Sequence, residues 1–104
     1  MDVLLIHKLI SVVPPEMMAA SLEIGKKLNS NPEELVPGGK LIASYSARAL
    51  SMVICLWEVP NMEALMPPLE QMNMLGWDTD TIPVEKMDVA IPKWEKALQA
   101  MQAK

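Results

Sequence analysis

Four apolar runs, two of them flanking each of two stretches with helical spacing, set the rhythm of this chain. Val3–Ile10 reads as a first strand, and a helical stretch near Pro14–Leu28 follows it. Lys40–Ser46 and Leu50–Val59 read as a second and third strand, joined by a loop near Ala47–Leu50. A second helical stretch spans about Met62–Leu75, and a last strand runs over Ile82–Ile91. A short terminal helix, Lys93–Ala103, closes the pattern, opened by Pro92 and carrying Trp94, Leu98 and Met101 on one side.

Turn chemistry punctuates these elements. Pro14-Pro15-Glu16 suits a helix start, and Met17, Met18, Ser21, Leu22, Gly25 and Leu28 give an inward stripe at three- and four-residue spacing. Asn29-Ser30-Asn31-Pro32 stops that helix, because Pro32 pushes Asn31 out of α geometry. Pro37-Gly38-Gly39 is a turn. Asn61 can cap the second helix, and Pro67-Pro68 should bend or split it. Gly76 ends it. Pro83 cannot donate to a ladder, which puts the last strand at a sheet edge. Trp77 and Trp94 are expected to anchor helices to the core.

The order is β-α-β-β-α-β, so the expected fold is an α+β, ferredoxin-like sandwich with a four-stranded antiparallel sheet and an extra C-terminal helix. At 104 residues it forms one domain, 1–104. Val3-Leu4-Leu5-Ile6 and Met52-Val53-Ile54-Cys55-Leu56-Trp57 are apolar on both faces. Two helices cover one face of such a sheet. The other would expose an apolar patch, which a homodimer through the sheet face would cover about a two-fold axis.

Composition narrows the partners. The formal net charge is −4, Arg48 is the only arginine, and the chain has one Tyr and no Phe. RNA binding on a sheet of this kind needs basic residues and stacking aromatics, so nucleic acid is not an expected partner. No stretch approaches the roughly 20 apolar residues of a membrane span. The apolar start is not expected to be a secretory signal, because Asp2 stands where a cationic region would be and Lys8 interrupts the run. A single cysteine rules out an intramolecular disulfide and suits a reducing cytoplasm.

Few residues can carry chemistry. His7, the only histidine, shares a strand face with Val3, Leu5 and Leu9, where it serves either as a general base or as a hydrogen-bonded core residue. Ser44, Ser46 and Arg48 alternate onto one strand face, with Leu41, Ala43 and Tyr45 opposite. Ser51, Val53, Cys55 and Trp57 share a face of the next strand. Small hydroxyls beside a tryptophan and a thiol can line a pocket or merely a sheet rim. Tyr45 needs a partner for its hydroxyl, and its meeting with His7 depends on register, which the sequence leaves open. Cys55 lies in an apolar run, as an inert buried thiol does, and Arg48 near the hairpin tip is an anion clamp or a solvated loop charge. Glu58, at a strand end, reads as a surface carboxylate. Ten methionines lack flanking His or Cys ligands and read as soft packing rather than a copper site. No metal-ligand spacing or phosphate-cradling loop occurs, so no cofactor is expected.

One segment resembles a known family. Gly38-Gly39-Lys40-Leu41-Ile42, then Leu56-Trp57-Glu58-Val59, Asn61-Met62-Glu63-Ala64-Leu65, Gly76-Trp77 and Asp80-Thr81-Ile82-Pro83-Val84-Glu85 follow one another over about half the chain. This pattern resembles the small DUF3303-like domains of the dimeric α+β barrel superfamily, alongside antibiotic-biosynthesis monooxygenase-like and muconolactone isomerase-like proteins. The resemblance implies a protomer whose sheet packs on a partner sheet. Relatives include cofactor-free oxygenases, isomerases, haem enzymes and members without known activity, but no motif here matches their catalytic residues. The expectation is a site for a small apolar molecule beside the sheet, with His7 and Tyr45 in proton transfer and hydrogen bonding. Ser44, Arg48, Cys55 and Trp57 would contact the ligand. The alternative is a non-catalytic dimeric binding or assembly module.

Overall fold

A computed structural model describes residues 1–10 and 12–103. The elements are β1 (Asp2–Leu9), α1 (Pro15–Ser30), α2 (Pro32–Leu35), β2 (Lys40–Ala47), β3 (Met52–Glu58), a 3-10 helix (Met62–Leu65), α3 (Met66–Met74), β4 (Trp77–Val84) and α4 (Met87–Gln102). The four strands form one antiparallel sheet in the order β2-β3-β1-β4. This is the ferredoxin-like order, with α4 added at the C-terminal end.

β1 lies between β3 and β4, and its alternation sorts the whole sheet. Val3, Leu5 and His7 point inward and are buried, whereas Leu4, Ile6 and Lys8 point outward. In register with them, Trp57, Cys55 and Val53 of β3 and Thr81 and Thr79 of β4 join the inner face. The core is Val3, Leu5, Val36, Cys55, Trp57, Val59 and Leu65. A bulge at Ile42 shifts the β2 register, so Leu41, Ser44 and Ser46 all share the inner face.

Several local expectations hold for the reasons given. The Asn61 side chain accepts a hydrogen bond from the Ala64 N–H at 3.1 Å, capping the 3-10 helix. The second helical stretch splits at Met66, which places Pro67 and Pro68 in the first turn of α3, where no helical N–H is required. Pro83 lies in β4, an edge strand.

Other expectations need correction. The last strand runs from Trp77 to Val84 rather than over Ile82–Ile91. Trp77-Asp78-Thr79-Asp80-Thr81 alternates as a strand should, and pairing with β1 from Leu9 to Asp2 outweighs the low strand preference of its aspartates. The terminal helix begins at Met87, so Pro92 sits inside it instead of opening it. The inward side of α1 is Met17, Ser21, Ile24 and Leu28, while Met18 and Leu22 are exposed. Trp94 is no anchor: every residue from 91 to 103 is exposed, and Trp94 itself is 64 % exposed.

Two glycine and core positions test this packing. Gly76 has φ +94°, and an added Cβ would lie 2.7 Å from Val13 Cγ1. Gly76→Ala should therefore destabilise the chain by more than about 1 kcal/mol. Leu65→Ala, at the fully buried centre, should cost about 2–5 kcal/mol. Urea unfolding followed by circular dichroism checks both, and unchanged midpoints would contradict the packing described.

Candidate functional site

The inner sheet face is not filled completely. A cavity of about 90 Å³ lies between it and helices α1 and α3. His7, Cys55, Trp57 and Trp77 form its floor, with Ser21 and Ile24 of α1 and Leu69 and Met72 of α3 above. None of the lining residues is Asp, Glu, Lys or Arg. α1 contributes no fully buried residue, so it roofs the sheet loosely.

Polar groups here are few and mostly satisfied. Trp77 Nε1 donates to Ser21 Oγ at 3.0 Å, and Ser21 Oγ donates to the Met17 carbonyl at 2.9 Å. This chain of bonds fixes the rotation of α1 over β4. His7 Nδ1 lies 2.7 Å from Thr79 Oγ1, its directly opposed residue on β4. Among the described residues, no protein group bonds His7 Nε2. Every fully sealed side-chain polar atom among them is hydrogen-bonded, so Nε2, on a residue that lines the cavity, is not fully sealed.

Burial controls both titratable groups in the lining. Desolvation by burial lowers the His7 pKa from 6.5 to about 4, and no carboxylate lines the cavity to stabilise the imidazolium. The same effect raises the Cys55 thiol to about 11, against the pull of a hydrogen bond with Ser44. At neutral pH the imidazole and the thiol are both uncharged. Cys55 is a packing thiol here, not a nucleophile.

The structure brings together His7, Cys55 and Trp57, with Ser44 beside Cys55 at the sheet margin. It does not bring Tyr45 or Arg48 to them. Tyr45 points to the outer face, is 67 % exposed, and lies across the sheet from His7. Alternation from Ser44 decides this, since Ser44 is the residue paired with Cys55. Arg48 sits in the β2–β3 loop, exposed, with φ 50°, followed by Ala49 and Leu50 also at positive φ. Its charge is in solvent, away from the cavity. Glu58 is exposed at the end of β3, as expected of a surface carboxylate.

Thr79 takes part in a way its sequence position did not announce, whereas Gly25 belongs to the stripe already read as inward on the first helix. The Trp77/Thr79/Thr81 alternation was the available signal for Thr79, masked by the intervening aspartates. A wider depression of about 350 Å³ borders β2 near Asn29, Pro32 and Ser44, but it holds no titratable side chain. Among the described residues no group of three or more His, Cys, Asp or Glu could hold a metal ion, and no helix is long and apolar enough to cross a membrane. Compared with protein-family models and with curated proteins, the sequence finds no match in either.

The buried imidazole makes stability depend on pH in a definite direction. His7 protonates near 4 in the folded chain but near 6.5 when unfolded, so between these values the unfolded chain binds more protons. Its contribution is complete above pH 6.5 and is lost as pH falls toward 4, by on the order of 3 kcal/mol. Unfolding free energies measured from pH 7 to 4 should show this slope, and His7→Gln should flatten it. An imidazole titrating at its usual pH by NMR would refute the assignment.

Proposed function

We propose that this protein holds a small, apolar molecule in the cavity between the sheet and helices α1 and α3. A single observation carries the reading: a buried, uncharged histidine, with Nδ1 held by Thr79 and no protein partner for Nε2 among the described residues, lines an otherwise largely apolar cavity. Thr79 orients the imidazole, Trp57 and Trp77 supply aromatic floor, and Ser21 is already engaged in holding α1. A histidine with its conjugate acid near 4 is a weak base, so the geometry supports binding and orientation better than proton transfer. Membership of the DUF3303-like dimeric α+β barrel proteins is part of this proposal, supported by the motifs between Gly38 and Glu85 and by the ferredoxin-like strand order. A lone buried thiol and the absence of a membrane-spanning helix among the described residues are consistent with the cytoplasm we propose for it.

Benzene titration tests the cavity with an internal control. The indole resonances of Trp57 and Trp77 should shift saturably, and that of Trp94, exposed on α4, should not. Equal movement of all three, or no saturation, would reject the cavity as a binding site.

A second observation supports the dimeric module reading beside the first. Leu4, Ile6, Met52, Ile54 and Leu56 lie together on the outer sheet face, which no helix covers, with Ile82 and Val84 continuing the patch on β4. The Lys8–Asp80 ion pair, at 2.8 Å, borders its end. A second copy related by a two-fold axis would cover this surface with itself. Sedimentation at micromolar concentration should give the dimer mass. Ile54→Glu, set between Ile6 and Tyr45 on that face, should give a folded monomer. A monomeric parent chain would dismiss the dimer.

A further inference from the structure

Gly25 is an unexpected residue at the middle of α1. Glycine there weakens a helix by roughly 0.5–1 kcal/mol relative to alanine. It is not required by crowding, because an added Cβ would meet no atom within 4 Å, and its φ is not in the left-handed region. Gly25 lines the cavity, and it is the one lining residue that is itself exposed. Gly25 is thus the point at which the cavity lining reaches solvent, and the Cβ position there is open space.

The cavity's size and polarity limit what can pass. Its volume of about 90 Å³ is of the order of the roughly 150 Å³ apolar cavity that takes up benzene. No charged side chain lines it, so a carboxylate or phosphate would lose its hydration with nothing to replace it. His7 carries a lining nitrogen without a protein partner among the described residues, and the residue as a whole is 7 % exposed. The Thr79 hydroxyl can donate to Nδ1 or accept from it, which leaves Nε2 as donor or as acceptor. A ligand hydroxyl can meet either state, whereas a carbonyl or ether can meet only one.

We infer that the ligand is an uncharged, single-ring or comparably small molecule bearing one hydroxyl, which bonds His7 Nε2 after entering past Gly25. This rests on the cavity reading above and adds the ligand's charge, polarity and route. The probes are p-cresol, toluene and benzoate, which share a ring and differ in the group presented. Binding is followed at pH 7 by the Trp57 and Trp77 indole resonances and by the ¹⁵N resonances of His7, whose uniqueness in the chain makes them unambiguous.

p-Cresol should bind roughly three- to tenfold more tightly than toluene, the yield of one buried hydrogen bond. It should also move the His7 Nε2 resonance, which toluene should leave in place. Benzoate should not bind. His7→Leu should remove the preference for p-cresol while keeping toluene binding. Gly25→Leu should slow or abolish uptake of both neutral probes without lowering the melting temperature. If His7→Leu does not fold, the Nε2 response of the parent chain still decides the hydroxyl contact. Equal affinity for toluene and p-cresol, binding of benzoate, or unaltered uptake by Gly25→Leu would overturn this inference and leave the cavity reading intact. Failure of both toluene and p-cresol to shift the indoles would overturn both.

Discussion

The register of β1 between its two neighbours is the constraint on which the rest depends. Side chains of a strand alternate strictly, so a slip of one residue would turn Leu4 and Ile6 inward and send Val3, Leu5 and His7 to the opposite face. Hydrogen bonding on both sides holds it, to β3 from Asp2 to Lys8 and to β4 from Asp2 to Leu9. The same register sets His7 opposite Thr79 and Leu9 opposite Trp77. From Trp77 the indole N–H reaches Ser21 and sets the rotation of α1. Sheet pairing thus determines how the helix roofs the cavity.

The polar content of the interior is small and almost fully used. Ser21 accepts one bond and donates another, and Cys55 is a protonated thiol. His7 stays uncharged at neutral pH because burial desolvates it and no carboxylate lines the cavity to stabilise its charged form. An interior of this kind selects by shape and neutrality. The cavity accompanies loose packing of α1: its inward residues are half-buried, and Gly25 in its lining brings no side chain.

Much of the architecture was legible because local chemistry and tertiary packing agree. Pro67 and Pro68 fall in the first turn of α3, where no helical N–H is required, so the change from 3-10 to α geometry at Met66 accommodates both. Asn61 is suited to capping in almost any context, and Pro83 is excluded from a central strand. Agreement failed where a residue's neighbours decide its state. The aspartates of β4 disfavour a strand in isolation, yet pairing with β1 makes one. Met18 and Leu22 satisfy helical spacing as well as Ile24 does, and the Trp77–Ser21 bond chooses among them. Trp94 reads as an anchor only if something lies beneath it, and among the described residues it stays largely exposed.

The sequence by itself determined the element order, the edge position of the last strand, the two-sided apolar strands and His7 as the one histidine available for chemistry. These follow from periodicity, proline geometry and composition, which act over a few residues. Tertiary structure alone decided that His7 faces Thr79, that Tyr45 and Arg48 stand apart from it, and that the exposed Gly25 lines the cavity. Those facts depend on strand register and helix rotation, set by contacts between residues as far apart as Ser21 and Trp77.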